Sequence, residues 1–241
     1  MLATLPAPAD SSATTPLLGF PLTTGLVREG RRFYVLYATG AKAETGVWTF
    51  VEGQKPRKLA DLPADGLPNG MEMNRRTGTL YITDSARGAV YSVATRGADR
   101  GKVGLFSNDT ALSSTGFFGV NGVKVRDQRL YVSNLDRGTV LCAPLSGPKA
   151  GKFETVAQNL EGIDDFAFIG KGNQFLASLV TRNEVVLVNE KKGNRKTVLT
   201  AEDGLSNPTS VAVHGTTIYV PSAAYTTQKD PNLLVADLSR Y

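Results

Sequence analysis

The chain has 241 residues, of which 41% are hydrophobic and 20% are charged, and its formal net charge is +5. These values suit one soluble domain, residues 1–241, with a substantial core. No apolar run approaches the roughly 18 residues that a membrane span needs, so we expect no membrane partner. Lysine and arginine are scattered, and the densest run, residues 191–196, falls between two predicted strands. We interpret that run as a solvated turn and expect no nucleic-acid partner.

Two further features bound the cell compartment and the redox chemistry. The segment Met1–Pro16 lacks the basic start and apolar stretch of a secretory leader. We therefore expect a cytoplasmic protein as the chain stands, with secretion as the alternative if further residues precede Met1. Cys142 is the only cysteine, which excludes an intrachain disulfide and a cysteine metal cluster. Its apolar strand predicts a buried thiol.

A short apolar strand recurs five times along the chain. Its second residues are separated by 47, 50, 45 and 43 positions. A period of about 40–50 residues with several strands per unit is typical of β-propeller blades. The 25 glycines and 12 prolines agree with many tight turns. The five copies are residues 33–36, 80–83, 130–133, 175–178 and 218–221.

Each unit is predicted to contain four strands, of which the aromatic strand is the second. In four units a polar residue begins the first strand, 12, 10, 12 and 12 positions before the second residue of the aromatic strand. These residues are Asn69, Asn121, Asp164 and Asn207. The constant phase makes the polar residue part of the repeat. In a propeller, these strand starts would face one opening of the central channel.

The two ends of the chain differ from the other units. The first unit, residues 18–63, is less regular, because its inner strand is expected to carry Pro21 and has no Asn-Gly pair. The last unit ends after its third strand. Because Leu2–Pro6 repeats the pattern of Leu59–Pro63, we predict that it forms the missing outer strand of the last unit and closes the ring. The chain then contains five blades.

Several catalytic mechanisms are excluded by residue types alone. His214 is the only histidine and lies in a predicted turn, so a Ser-His-Asp triad would need that residue. There is no G-x-S-x-G elbow, P-loop or strand–GxGxxG–helix unit. One histidine and one cysteine cannot complete a zinc site of such ligands.

The amide and carboxylate oxygens at the starts of the inner strands remain as candidate functional groups, and three roles are open to them. Amide and carboxylate oxygens are the ligands that Ca²⁺ and other hard cations prefer. The same groups could instead hydrogen-bond a polar organic ligand. They could also cap turns through bonds to the backbone, without any ligand.

Among the polar residues at the inner strands, Asp164 and Asp165 give the most specific indication of function. Two adjacent carboxylates in an apolar setting predict a raised pKa for at least one of them, unless a cation neutralises it. The pair is therefore half a metal site or a general acid/base. Strand alternation predicts that only one of the two points into the channel. Phe117 and Phe118 precede Asn121 and form either an apolar wall at that mouth or core packing between blades.

These motifs resemble the SMP-30/gluconolactonase-like propeller superfamily. The resemblance lies in Asn121-Gly122-Val123 with residues 130–133, and in residues 162–167. It implies a six-bladed fold whose lactonases bind one divalent cation through a Glu, an Asn and an Asp. Asn121 and Asp164 resemble the metal-binding Asn and Asp, and Asn69 resembles a substrate-contacting Asn. The first-blade Glu has no counterpart, so the chain is either a shortened five-bladed form or a six-bladed ring without most of one blade.

Three segments of the chain are similar to those of a fungal subgroup of this superfamily, which is found with natural-product pathways. The similar segments are residues 67–71, 119–123 and 164–167. Characterised members include hetero-Diels–Alderases that join a terpene to a tropolone-derived quinone methide. The resemblance implies a cyclisation enzyme, with a divalent-metal-dependent lactone hydrolase and a non-catalytic ligand-binding propeller as alternatives. The resemblance implies catalytic roles for Asp164, Asn121 and Asn69, and from their positions in the sequence we expect the substrate to contact Phe118, Asp165, Asn207 and Met71.

Overall fold

The computed structural model describes residues 2–145, 152–170, 172–190 and 193–240. Within them the chain forms antiparallel sheets whose strands follow one another in sequence. Blade 1 contains β1 (Leu22–Glu29), β2 (Arg32–Ala38), β3 (Gly46–Val51) and β4 (Arg57–Asp61). Blade 2 contains β5 (Pro68–Asn74), β6 (Thr79–Asp84), β7 (Ala89–Ala94) and β8 (Val103–Ser107).

The remaining blades repeat this order. Blade 3 contains β9 (Val120–Arg126), β10 (Arg129–Asn134), β11 (Thr139–Pro144) and β12 (Glu154–Ala157). Blade 4 contains β13 (Ile163–Phe168), β14 (Gln174–Leu179), β15 (Glu184–Asn189) and β16 (Arg195–Leu199). Blade 5 contains β17 (Ala212–His214), β18 (Thr217–Ser222) and β19 (Asn232–Asp237). The prediction of an all-β propeller with five repeats is confirmed.

The apolar aromatic strands hold neighbouring blades together from both faces. Successive side chains of a strand point to opposite faces. In β6, Leu80 and Ile82 pack against blade 1, whereas Tyr81 packs against blade 3. Equivalent clusters lie between blades 3 and 4 and between blades 4 and 5. Since both faces are covered, the strands carry continuous apolar runs instead of an alternating pattern.

The inner strands β1, β5, β9, β13 and β17 follow one another around a central cavity, which all five line. The hairpin turns between the second and third strands of blades 2, 3 and 4 contain residues with positive φ, Gly88, Gly138 and Asn183. Cys142 is buried, and His214 is exposed at the end of β17, as expected.

The predicted closing strand is wrong. Within the described residues blade 5 has three strands, and Leu2–Pro6 lies against blade 1. There, Ala3 and Leu5 cover an aromatic face that includes Trp48, and the Tyr37 hydroxyl donates to the Pro6 carbonyl at 3.1 Å. Burial of these apolar side chains against the aromatic face favours this position of the segment.

Three smaller points complete the fold. The inner strand of blade 1 begins at Leu22, so Pro21, which was expected within it, lies just before it, because proline has no backbone N–H for a ladder. No helix in the described parts of the chain is long and apolar enough to cross a membrane. In the basic run 191–196, the first two residues lie outside the described residues.

Candidate functional site

The inner strands of blades 1 to 4 carry a β-bulge at the same point of the repeat. In blade 4, Ile163 pairs with Leu179 and Phe166 with Ala177, so the inner strand contains one extra residue. Shifts at the same place occur in β1, β5 and β9. A bulge breaks the alternation of side chains and can re-aim them. The expectation that only one of Asp164 and Asp165 faces the channel is therefore wrong, and both carboxylates line the cavity.

The bulges surround one central cavity of about 960 Å³. Most of its wall is apolar, with polar groups concentrated at the bulges. The structure brings together around this cavity all seven residues predicted from the sequence: Asn69, Met71, Phe118, Asn121, Asp164, Asp165 and Asn207.

The glycine of each Asn-Gly pair allows neighbouring inner strands to approach closely. A Cβ on Gly70 would lie 2.3 Å from the Asn121 carbonyl oxygen, and one on Gly122 would lie 2.4 Å from an Asp165 carboxylate oxygen. No real side chain tolerates such distances. The Asn-Gly motif thus reflects blade packing at the glycine and site chemistry at the asparagine.

In blades 2 and 3, a buried hydroxyl near the end of the second strand joins the blade to the next one. The Ser133 hydroxyl accepts from the Gly122 amide at 2.7 Å and donates to the Asp164 carbonyl of the next blade at 2.6 Å. Thr83 makes the same pair of bonds to Gly70 and to the Asn121 carbonyl. These bridges fix the position of each bulge relative to its neighbour.

The carboxyl group of Asp164 lies deep in the cavity, beside the side-chain amide of Asn121. Its surface is partly exposed, and the exposed part opens onto the cavity. Burial, reinforced by the charge of Asp165, raises the pKa of Asp164 to about 8, while a hydrogen bond from the Asn121 side chain opposes the shift. At neutral pH this group is mainly a neutral carboxylic acid.

Asp165 has a different environment, because it lies beside a cation. The Lys124 ammonium contacts the Asp165 carboxylate at 2.6 Å, and the Ser210 hydroxyl donates to its other oxygen at 2.8 Å. Lys124 also lies over the Phe166 ring, 5.5 Å from its centroid. Burial raises the pKa of Glu72, and the charge of Lys124 opposes that shift. A polar band therefore crosses blades 2 to 5 at the cavity wall.

Of the other predicted residues, some present their side chains to the cavity and others mainly pack or hydrogen-bond within the fold. The Asn69 amide donates to the Ser85 hydroxyl at 3.1 Å and remains half-buried at its bulge. Met71 is 7% exposed and packs mainly in the core between blades 1 and 2. The Phe118 ring meets the Phe117 ring edge-to-face, with centroids 4.2 Å apart, and both rings line the cavity.

The side chain of Asn207 is engaged in hydrogen bonds to the backbone. Its amide nitrogen donates to the Val180 carbonyl at 3.1 Å, and its amide oxygen accepts from the amides of Thr226 and Thr227 at 2.9 and 3.2 Å. These bonds favour the turn-capping alternative for Asn207. They also hold the loop that carries Tyr225, a cavity residue.

Sequence reasoning missed four residues at or near the cavity. Lys124 and Glu72 occupy equivalent positions, three residues after Asn121 and Asn69, and that shared phase could have revealed them. Tyr225 lies in a connection without a repeat signal, and Asp136 lies in a hairpin turn where the equivalent residue of blade 2 is Ala86. The pKa of Tyr225 is raised by its packing and then by the charge of Asp164.

The described residues do not fit the divalent cation that the family resemblance implies. Ca²⁺ takes about six to eight oxygen ligands. Among the residues that the structure describes, no three His, Cys, Asp or Glu side chains form a metal-binding group. Asn121 and Asp164 meet, but the next carboxylate, Asp165, is already neutralised by Lys124. This donor set suits an organic ligand better than a hard cation.

The fold defines a β-propeller with one large cavity at the centre of its inner strands. No family model matches the sequence, and neither does any curated protein. Among solved structures, the chain is similar to a nidogen/laminin complex, with 17% identity, 93% of this chain and 80% of that chain covered, and a TM-score of 0.70. The likeness covers nearly the whole of the described fold.

Two further structures share the architecture. Regucalcin from Agrobacterium tumefaciens, a calcium-binding protein of the SMP-30 family, is 16% identical, with 83% and 68% of the two chains covered and a TM-score of 0.60. The computationally designed protein Ika8 is 12% identical, with 89% and 58% covered and a TM-score of 0.52. At these identities the likeness shows the fold, which includes the propeller expected from the SMP-30 resemblance.

Proposed function

We propose that the chain is a small-molecule enzyme that catalyses an acid-assisted cyclisation of the hetero-Diels–Alder type in its central cavity. The observation that carries this proposal is Asp164, a carboxyl group kept neutral by burial and held by Asn121 in a mostly apolar cavity. A neutral carboxylic acid at pH 7 can donate a proton, as general-acid catalysis requires.

The proposed substrate is an enol or phenol with a hydroxymethyl group on the adjacent carbon. The Asp164 carboxyl gives its proton to that hydroxyl, the C–O bond breaks, and water leaves with the bonding electron pair. The enol O–H then returns a proton to the Asp164 carboxylate, which leaves a neutral oxadiene. An alkene adds to the oxadiene, forming one C–C and one C–O bond without further proton transfer.

The rest of the cavity would position the two reactants. Holding them in an attack geometry can lower a barrier by roughly 7–11 kcal/mol. The amides of Asn121 and Asn69 can hydrogen-bond the oxadiene oxygen, where charge develops. Because Lys124 neutralises Asp165, the second carboxylate does not compete for the proton at Asp164.

The test is incubation of the protein with a hydroxymethyl tropolone and a humulene-type alkene, followed by mass spectrometry. We expect an adduct with the mass of the two reactants less one water. Asp164→Asn should lower its rate about 10²–10⁴-fold, whereas Asp127→Asn, whose side chain is 83% exposed, should leave it unchanged. Absence of adduct above the uncatalysed background would overturn the proposal.

Two control reactions separate the alternatives. Hydrolysis of sugar or aryl lactones that disappears with a chelator would favour a metal-dependent hydrolase in place of the cyclase. Binding of the reactants without turnover, unaffected by Asp164→Asn, would favour a ligand-binding propeller.

A further inference from the structure

The mouth of the cavity exposes an unusual amount of apolar surface. Phe20 is 52% exposed, Leu26 61%, Phe117 48% and Tyr225 62%, and all four line the cavity. Single exposed apolar residues are normal, but a contiguous group at a cavity mouth marks a binding surface. The side chains come from blade 1, from the segment before β9 and from the segment after β18.

The aromatic segment before β9 is held by one carboxylate. Asp136 accepts hydrogen bonds from four consecutive amides, those of residues 115–118, at 2.8 to 3.1 Å. Burial would raise the pKa of Asp136, but these bonds together lower it. Asp136 also donates its own amide to the Phe118 carbonyl at 3.1 Å. The rings of Phe117 and Phe118 are therefore fixed at the mouth through a side chain outside the cavity lining.

We propose that Phe117, Phe118 and Tyr225 form a subsite for an uncharged, bulky apolar part of a ligand, and that Asp136 is the positioning residue of this subsite. The assignment of the ligand as a reactant rests on the proposed function. Binding at the subsite does not depend on it, because the argument uses only the exposed rings and the bonds that hold them. Aromatic rings gain most from apolar or flat partners that cover their faces.

The neutral apolar dye Nile red tests this assignment by fluorescence titration. Phe117→Ala and Tyr225→Ala should each weaken dye binding about tenfold, the effect of losing one buried aromatic contact. Leu105→Ala is the matched control, because Leu105 is 51% exposed and does not line the cavity. It should bind the dye as the wild type does. Unchanged affinity in both aromatic variants would overturn the subsite.

Asp136 needs a readout that a merely structural role would not move. Asp136→Asn should weaken dye binding about fivefold and speed amide hydrogen exchange at residues 115–118. In the background Phe117→Ala/Phe118→Ala, the same substitution should cause no further loss of affinity, because Asp136 acts through those rings. Asp109→Asn is the control, since Asp109 also accepts backbone amides but lies outside the cavity lining. An equal loss in the ring-free background would overturn the positioning role.

The two proposals fail in different ways. Absence of adduct together with the expected dye series would refute the proposed reaction and leave the subsite standing. Adduct formation together with unchanged dye binding in the ring variants would refute the subsite and leave the reaction standing.

Discussion

Lys124 forms its salt bridge with Asp165, at 2.6 Å, while the adjacent Asp164 has the Asn121 amide as its hydrogen-bond partner. Two neighbouring carboxylates in one bulge thereby acquire opposite properties. One is an ion beside a cation, and the other is a buried acid with its pKa raised to about 8. Environments that separate two carboxyl groups in this way are typical of acid catalysis.

The stability of the protein should depend on pH through Asp164. Its pKa is about 8 in the folded state and near 3.8 when unfolded, so between these values the folded state holds a proton that the unfolded state lacks. Stability should therefore fall as pH rises from about 4 to about 8. Urea unfolding of the wild type and Asp164→Asn at pH 5 and pH 8.5 measures the effect. The wild type should lose more stability than the variant, and parallel losses would contradict the assignment.

Removal of the cation should destabilise the polar band. Lys124→Met keeps the length of the side chain but leaves Asp165 without its partner and raises the pKa of Glu72 further. Because both partners are about one fifth exposed, we expect a loss of about 1–3 kcal/mol at pH 7. The loss should shrink as Glu72 takes up a proton at lower pH. In chemical denaturation, Lys102→Met, from a pair at least 70% exposed, should change little. Equal effects of the two substitutions would refute the role of Lys124.

The bulge glycines should not tolerate a methyl group. Gly122→Ala places a Cβ within 2.4 Å of an Asp165 carboxylate oxygen, so we expect a loss of about 1–3 kcal/mol and a displaced Asp165. Gly172→Ala is the matched control, because its added Cβ meets nothing within 4 Å. Thermal unfolding of both variants decides the matter, and similar melting temperatures would contradict the close approach of the strands.

The hydroxyl bridge between blades should contribute measurably. Ser133→Ala leaves the buried Gly122 amide without its acceptor, which costs about 1–3 kcal/mol. Ser12→Ala, at an exposed serine with only local bonds to Asp10, should be nearly neutral. If denaturation shows no difference between the two variants, the bridge does not stabilise the blade contact.

The repeat predicted the blades well because the apolar run of each second strand and the turns on either side of it are local features of the sequence. The second strands, the hairpin turns and the polar residues at the inner strands were all visible in the sequence, and so was the cavity at which they meet. The bulge was not visible, because an extra residue in β13 is defined only by its pairing with β14. That bulge decides that both Asp164 and Asp165 reach the cavity.

The ends and the loops were harder to predict. Leu2–Pro6 has the pattern of an outer strand, yet it covers the aromatic face beside Trp48. Tertiary packing determines this position, and the local sequence pattern does not encode it. Tyr225 belongs to an irregular connection, and Asp136 stands in a hairpin turn where blade 2 has Ala86, so no repeated residue type pointed to either. Asn207 shares the phase of Asn121 and Asp164, but its amide is bonded to backbone on both sides, which only the structure reveals.

The central claim is that Asp164 acts as a neutral acid, and the pH dependence of kcat/KM tests it most directly. This ratio reports the pKa values of the free enzyme. For adduct formation, we predict a rate that is level below about pH 7 and falls with a midpoint near 8, the pKa of Asp164. Asp164→Asn should lower the rate and abolish that midpoint. A rate that rises through pH 8, or the same midpoint in Asp164→Asn, would contradict the account.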